Sequence, residues 1–252
     1  MGEKRKLSPD DILKALDGFL HRNDYSSAEE HLLDCLSRSV EYNDGAAEIL
    51  VRNELMGLYR KLGRRDDALK TVEAVLEKIK EMNVENQIGS ATTYLNSATV
   101  YKAFSEPEKS IELFYKARRI YEEKLSSDDD RLSGLYNNMG LTLVDLKRFR
   151  EADELYNKAI EIIKNKPQRA LDIAITYLNM ANAVEAQKGL EEGDKEISEY
   201  LKKAEEILEK FSNRDGYYAF VCEKCASVFG YYGHFFYENE LKERAKRIYE
   251  GN

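Results

Sequence analysis

Helical periodicity runs through this chain from end to end, and that pattern restricts the fold more than any other feature. Between Asp153 and Ile163, the residues Leu155, Tyr156, Ala159, Ile160 and Ile163 recur at three- and four-residue steps among Glu, Asp, Lys and Asn. This spacing lines one face of an α-helix. Strict apolar–polar alternation and Asn-Gly hairpin turns, the marks of strands, are absent from the sequence. The expected fold class is therefore all-α, with roughly twelve helices of about 13–20 residues joined by turns of two to six. The three prolines fall where helices start, as a fixed φ without an N–H requires. Pro9 follows Ser8 and precedes Asp11 as in an N-cap with a capping box, Pro107 lies in a first turn, and Pro167 opens a third helix. Gly63 and Gly233 mark helix–helix turns, where a left-handed residue is cheapest as glycine.

Composition narrows the function classes. Of 252 residues, 34% are charged and 42% apolar, with scattered glycines and no tryptophan. Collagen-like, low-complexity and wholly disordered readings fail on these values. No apolar run approaches the roughly 20 residues of a membrane span. The net charge of −8 disfavours a general nucleic-acid or anionic-membrane binder. Three cysteines are too few for a disulfide framework, so a reducing cytoplasm is expected. The segment 1–6 is basic with no apolar stretch, hence no signal peptide is read, and Lys6 stands where a myristoylation signal wants Ser or Thr.

The helices repeat. Tyr136-Asn137-Asn138-Met139-Gly140-Leu141-Thr142-Leu143, followed by Ala152, Tyr156 and Ala159, resembles the tetratricopeptide repeat (TPR): an aromatic, Leu-Gly, Tyr, then Ala-x3-Phe in the second helix. The same register fits six units starting near Pro9, Ile49, Ala91, Ser133, Ala174 and Ala219, at spacings of 40, 42, 42, 41 and 45 residues. The family's basic period is about 34, so each helix gains about one turn, as in repeats resembling those of kinesin light chain. The resemblance implies a right-handed α-solenoid of about six helical hairpins spanning residues 1–252 as one domain. A small slot in the first helix (helix A) holds Ala98, Gly140, Ala181 and Ala226, with Leu16 and Met56 in the first two units. The first slot of the second helix (helix B) holds Ala28, Ala68, Ser110 and Ala152. The fifth unit departs, with about four extra residues around 189–194 before Ile197. The sixth carries Glu238, Lys242, Glu243 and Arg244, which fit a solvated terminal cap or a misregistered unit.

Asn96, Asn138 and Asn179 occupy one slot in three successive units, each two residues before the small slot. Asparagine is a mediocre helix former, so its recurrence asks for a reason. The TPR resemblance places the three on the concave groove, where such asparagines hold an extended peptide backbone. One amide offers both a donor and an acceptor, and can clamp a peptide C=O and N–H without reading sequence. The same register puts Asn53, Arg60 and Lys61 in the groove in the second unit, and Thr92, Thr99 and Lys102 in the third. Asn137 and Asp145 follow in the fourth, then Asn182 and Glu185 in the fifth. Bases gather in the second and third units, acids in the fourth and fifth. A carboxylate clamp needs a basic set across adjacent helices, and here the bases flank one side only. The alternative reading of the asparagines is hydrogen bonding between neighbouring helices.

Other motifs read as structure. Cys222 and Cys225 form a CxxC, but the only other cysteine is Cys35, and a zinc site needs four ligands. Both thiols fall on inward positions of a helix A. His21 and His234 fall at turn ends, and His31 has no ligand-like spacing to either. Asp128-Asp129-Asp130 lacks the glycine and distal glutamate of a calcium loop and suits a helix start. There is no nucleophile elbow, phosphate loop or zinc-protease motif. The expectation is a cytoplasmic, non-enzymatic module without metal or cofactor that holds an extended peptide or partner tail in its groove. Its alternatives are an assembly scaffold self-associating through ends or convex face, and the sensor partner of a peptide-controlled regulator.

Overall fold

The computed structural model describes residues 8–251, so the readings made on residues 1–6 lie outside the described residues. Eleven α-helices and no strand occur among the described residues. They divide into two compact units, Met1–Leu125 and Ser126–Asn252. The first unit holds α1 (Pro9–His21), α2 (Tyr25–Glu41), α3 (Gly45–Lys61), α4 (Arg65–Glu81), α5 (Ile88–Ala103) and α6 (Pro107–Lys124). They pack as the hairpins α1/α2, α3/α4 and α5/α6, with α5 lying against α3 and α4. The second unit holds α7 (Asp130–Asp145), α8 (Phe149–Ile163), α9 (Ala170–Lys210), α10 (Gly216–Tyr231) and α11 (Phe235–Tyr249). Here α7/α8 and α10/α11 are hairpins.

Long α9 is the fifth hairpin in disguise. Its helix is broken at Gly189 (φ 80°, ψ 173°), a backbone region essentially reserved for glycine. The two arms pack on each other: Tyr177 stacks on Tyr200 at 6.0 Å between centroids. Gly193 lies so close to Val184 that a Cβ there would sit 2.9 Å from its Cγ1. With the arms taken separately, the hairpins among the described residues number six. The expected extra residues of the fifth unit fall at this break.

Turn chemistry explains the short connections. Asn23, Asn43, Asn83, Ser105 and Lys147 take positive φ, as do Gly63 and Gly233. Asn23 and Asn43 are each followed by an N-cap aspartate: Asp24 accepts the Ser27 amide at 3.1 Å and Asp44 the Ala47 amide at 3.1 Å. Asn tolerates the left-handed region and Asp satisfies an orphan helix N–H, so Asn-Asp closes one helix and starts the next. Ser8 caps α1 through the Asp11 amide, and Asp129 caps α7 through the Arg131 amide at 2.9 Å. Pro167 differs from expectation. It opens the 3-10 turn Pro167–Arg169, closed by the Ala170 amide on the Pro167 carbonyl, and α9 starts only after it. A fixed φ suits a single tight turn as well as an α-helix.

The small slots are buried contacts between helices. Ala98, Ala181 and Ala226 in the A helices are fully covered, as are Ala28, Ala68, Ala152 and Ser110 in the B helices. A Cβ at Gly140 would stand 2.7 Å from Cζ of Tyr156, itself fully buried. The polar last helix is not simply solvated. Arg244 is only 10% exposed and donates to both oxygens of Glu209, at 2.7 and 2.9 Å, and to the Tyr218 hydroxyl at 3.0 Å. The guanidinium ties α11 to the second arm of α9 and to α10, its aliphatic stem covered while its fork is satisfied.

Candidate functional site

The A helices carry the polar residues singled out by the repeat register, and in the first unit the structure brings four of them together. Asn96 on α5 donates through Nδ2 to Oδ1 of Asn53 on α3 at 3.2 Å. Asn53 in turn donates to Thr93 Oγ1 and to the Ile49 carbonyl, both at 2.9 Å. Around this pair lies an open pocket of about 160 Å³ lined by Asn53, Glu54, Gly57, Arg60, Asn96 and Thr99. Thr99 donates back to the Asn96 carbonyl at 2.7 Å, and Arg60 is exposed. Lys102 follows one turn on, half-buried. Lys61 lies over the Tyr25 ring at 4.9 Å, and Thr92 pairs with the Tyr121 hydroxyl of α6 at 2.7 Å.

The second unit repeats the rung. Asn179 on α9 donates to Oδ1 of Asn137 on α7 at 3.1 Å. In both rungs the acceptor stands three residues before one small slot and the donor two residues before the next. Asn138 stands apart: its Nδ2 returns to the Gly134 carbonyl of its own helix at 3.0 Å. Asn182 accepts from the Tyr232 hydroxyl at 3.0 Å, and Glu185 accepts from Tyr231 and, at 2.9 Å, from Tyr232. Bonds between neighbouring helices therefore account for one N–H of Asn96 and one of Asn179. The Oδ1 atoms of Asn96, Asn138 and Asn179 accept no hydrogen bond among the described residues, and all three side chains are half-buried.

Glu54 escaped the sequence reading. It stands 42 residues before Asn96, in the asparagine slot of the second unit, and that spacing was the available signal. Burial first, then the Asp17 carboxylate, push its carboxyl above the usual range. Cys222 and Cys225 are fully buried in the second unit's core, packed among Leu201, Tyr218 and Phe229. Burial raises both thiols, that of Cys225 to about 12. Among the described residues no group of three or more His, Cys, Asp or Glu could hold a metal ion. No helix among them is long and apolar enough to cross a membrane.

Successive hairpins with small residues at the close approaches define a helical-repeat fold. Residues 89–165 match the tetratricopeptide repeat family model. Among solved structures the chain is similar to BtubC (BKLC) from P. vanneervenii, with 20% identity and a TM-score of 0.68 over 81% of this chain and 82% of that one. It is also similar to a Rap protein complexed with Competence and Sporulation Factor, with 14% identity and a TM-score of 0.67 over 96% of this chain and 64% of that one. Both likenesses are of fold. A curated relative, the clustered mitochondria protein homolog of Lodderomyces elongisporus, is 24% identical over 160 residues, which is 63% of this chain. The match spans only 11% of that relative's length.

Proposed function

We propose that this chain is a non-catalytic peptide- or protein-binding module whose A helices hold an extended segment of a partner. One observation carries the reading: an asparagine recurs in one slot with its amide oxygen unclaimed, on Asn96 in the first unit and on Asn138 and Asn179 in the second. An extended backbone presents N–H groups that such oxygens accept, whatever its side chains. The pairing of Asn96 with Asn53 and of Asn179 with Asn137 supports this use, because it fixes the amides in one orientation and lowers the entropy lost on binding. A chain of similar fold, the Rap protein, is complexed with Competence and Sporulation Factor.

Asn138 gives the clean test, since its side chain bonds only within its own helix. Asn138→Ala removes up to two hydrogen bonds to a ligand, each worth about 0.5–1.5 kcal/mol, so affinity should fall roughly 5- to 150-fold. Peptides recovered on the native chain from a mixed library would be titrated against the variant calorimetrically. The loss should be similar across sequences, with an unchanged melting temperature. Lost stability with intact affinity would retire the clamp.

A second reading, assembly through the last hairpin, has its own observation. Phe236 at the start of α11 is 96% exposed, and Phe235 next to it in sequence and Tyr231 at the end of α10 are also exposed. Exposed aromatic clusters mark contact surfaces. If this reading holds, light scattering finds a concentration-dependent oligomer that Phe235→Ser/Phe236→Ser dissolves; a native monomer at high concentration removes it.

A further inference from the structure

The ladder column changes chemistry within the first unit. Two residues before the small slots of its three hairpins stand Lys14, Glu54 and Asn96. An asparagine can donate and accept, whereas an ionised glutamate only accepts. Three other covered carboxylates in this unit, Glu48, Glu29 and Glu106, are matched by cations. Glu48 takes Arg52 at 2.8 Å and Lys78 at 3.3 Å, Glu29 takes Arg64 at 2.6 Å, and Glu106 takes Lys109 at 2.6 Å as well as Arg65. Glu54 makes no ion pair and no hydrogen bond among the described residues, although it is half-buried and lines the pocket with Asn53 and Asn96. Arg60 lines the same pocket at its exposed rim and forms no bridge to it.

We infer that Glu54 is an anchor for a cationic side chain, lysine or arginine, of the segment bound on the first unit's A helices, and so sets a sequence preference beside the sequence-blind asparagine clamp. The inference rests on the peptide-binding reading above. A carboxylate taken partly out of water beside another acid, Asp17, is destabilised in its charged form. A ligand cation supplies the missing partner, whereas an acidic or neutral ligand leaves the penalty in place or deepens it. Size agrees. About 160 Å³ holds the end of one side chain and falls short of the roughly 300–1,000 Å³ of small-molecule sites. Asn96 and Glu54 line that one pocket, so a backbone held by the asparagine puts the next side chain within reach of the carboxylate.

The test uses the full chain and two probes. The first is a set of short acetylated peptide amides, random except for one position fixed in turn as Lys, Arg, Glu or Ala. The second is Nα-acetyl-lysine methylamide, titrated by NMR while the labelled Glu54 side-chain carboxyl and the backbone amides around the pocket are followed. The native chain should enrich Lys or Arg at one position. Glu54→Gln, which keeps shape and loses charge, should lose that enrichment and about tenfold in affinity for the enriched peptides, which is about 1.4 kcal/mol. It should bind the alanine-fixed peptides as before and fold at least as stably as the native chain. Peptides bound by both chains without cationic preference would overturn the anchor and leave the clamp standing. A different outcome is that no peptide binds, while millimolar lysine amide shifts the native signals and leaves those of the Glu54→Gln variant in place. That would keep the anchor and overturn the clamp. Neither probe binding would overturn both.

Discussion

Gly140 shows how one missing methyl group sets a distance between helices. The Tyr156 ring from α8 occupies the space that a Cβ would need, with Cζ at 2.7 Å. Both residues are fully buried, so neither can move aside without disturbing its neighbours. Gly140→Ala should therefore cost about 1–3 kcal/mol, and Gly140→Leu more, despite the better helix propensity of both replacements. The Tyr156 hydroxyl is buried without a hydrogen-bond partner. Tyr156→Phe removes that unsatisfied group and keeps the ring, so its denaturant midpoint should equal or exceed that of the native chain. Denaturant melts of the three variants check both statements. A neutral Gly140→Leu would mean that the repeat register is wrong.

Helix starts supply a pH dependence that belongs to single elements. Asp129 caps α7, and Arg131 donates to it from both side chain and backbone, which together hold its carboxyl down at about 2. An unfolded aspartate titrates near 3.9. The depressed folded value means that this cap stabilises fully above the unfolded value and is lost as pH falls through about 2. Asp129→Ala should cost about 1 kcal/mol at pH 7, and the gap between variant and native melting temperatures should close between about pH 4 and 2. A gap constant across that range would place the contribution elsewhere. The elements themselves were legible because helical periodicity and the small slots are size and spacing, which sequence states directly. Their joints were less so. The Gly189 break is visible only as extra residues in one repeat, and the left-handed Lys147 has no compositional cue, because the turn overrides its preference. Arg244 reads as a solvated charge by default, and only the fold brings it to Glu209, 35 residues earlier.

For the whole molecule, the candidate site was half legible. The register singled out Asn53, Arg60, Asn96 and Thr99 as groove residues, and these four line one pocket, but an unpaired carboxylate cannot be told from a paired one until the neighbours of Glu54 are known. The cysteines follow the same logic and turn into reporters. Cys35 lies in the first unit's core, and Cys222 and Cys225 lie in the second's, all three free and buried. Burial is the leading cause that raises each thiol. Since the thiolate is the reactive form, a thiol held at about 12 is almost wholly protonated at pH 8, and reagent reaches it only through opening of its surroundings. A disulfide reagent should therefore leave the native chain unlabelled over minutes and label all three cysteines in denaturant. Peptide mapping of the label at graded denaturant then gives an opening curve for each unit separately. Neither curve, nor the melting temperature, should move on adding a chelator, because the CxxC thiols serve as packing groups beside Tyr218 and Phe229 and have no ligand set around them among the described residues. Rapid labelling of Cys222 or Cys225 in the native chain, or stoichiometric zinc released with a fall in melting temperature, would contradict this account of the core.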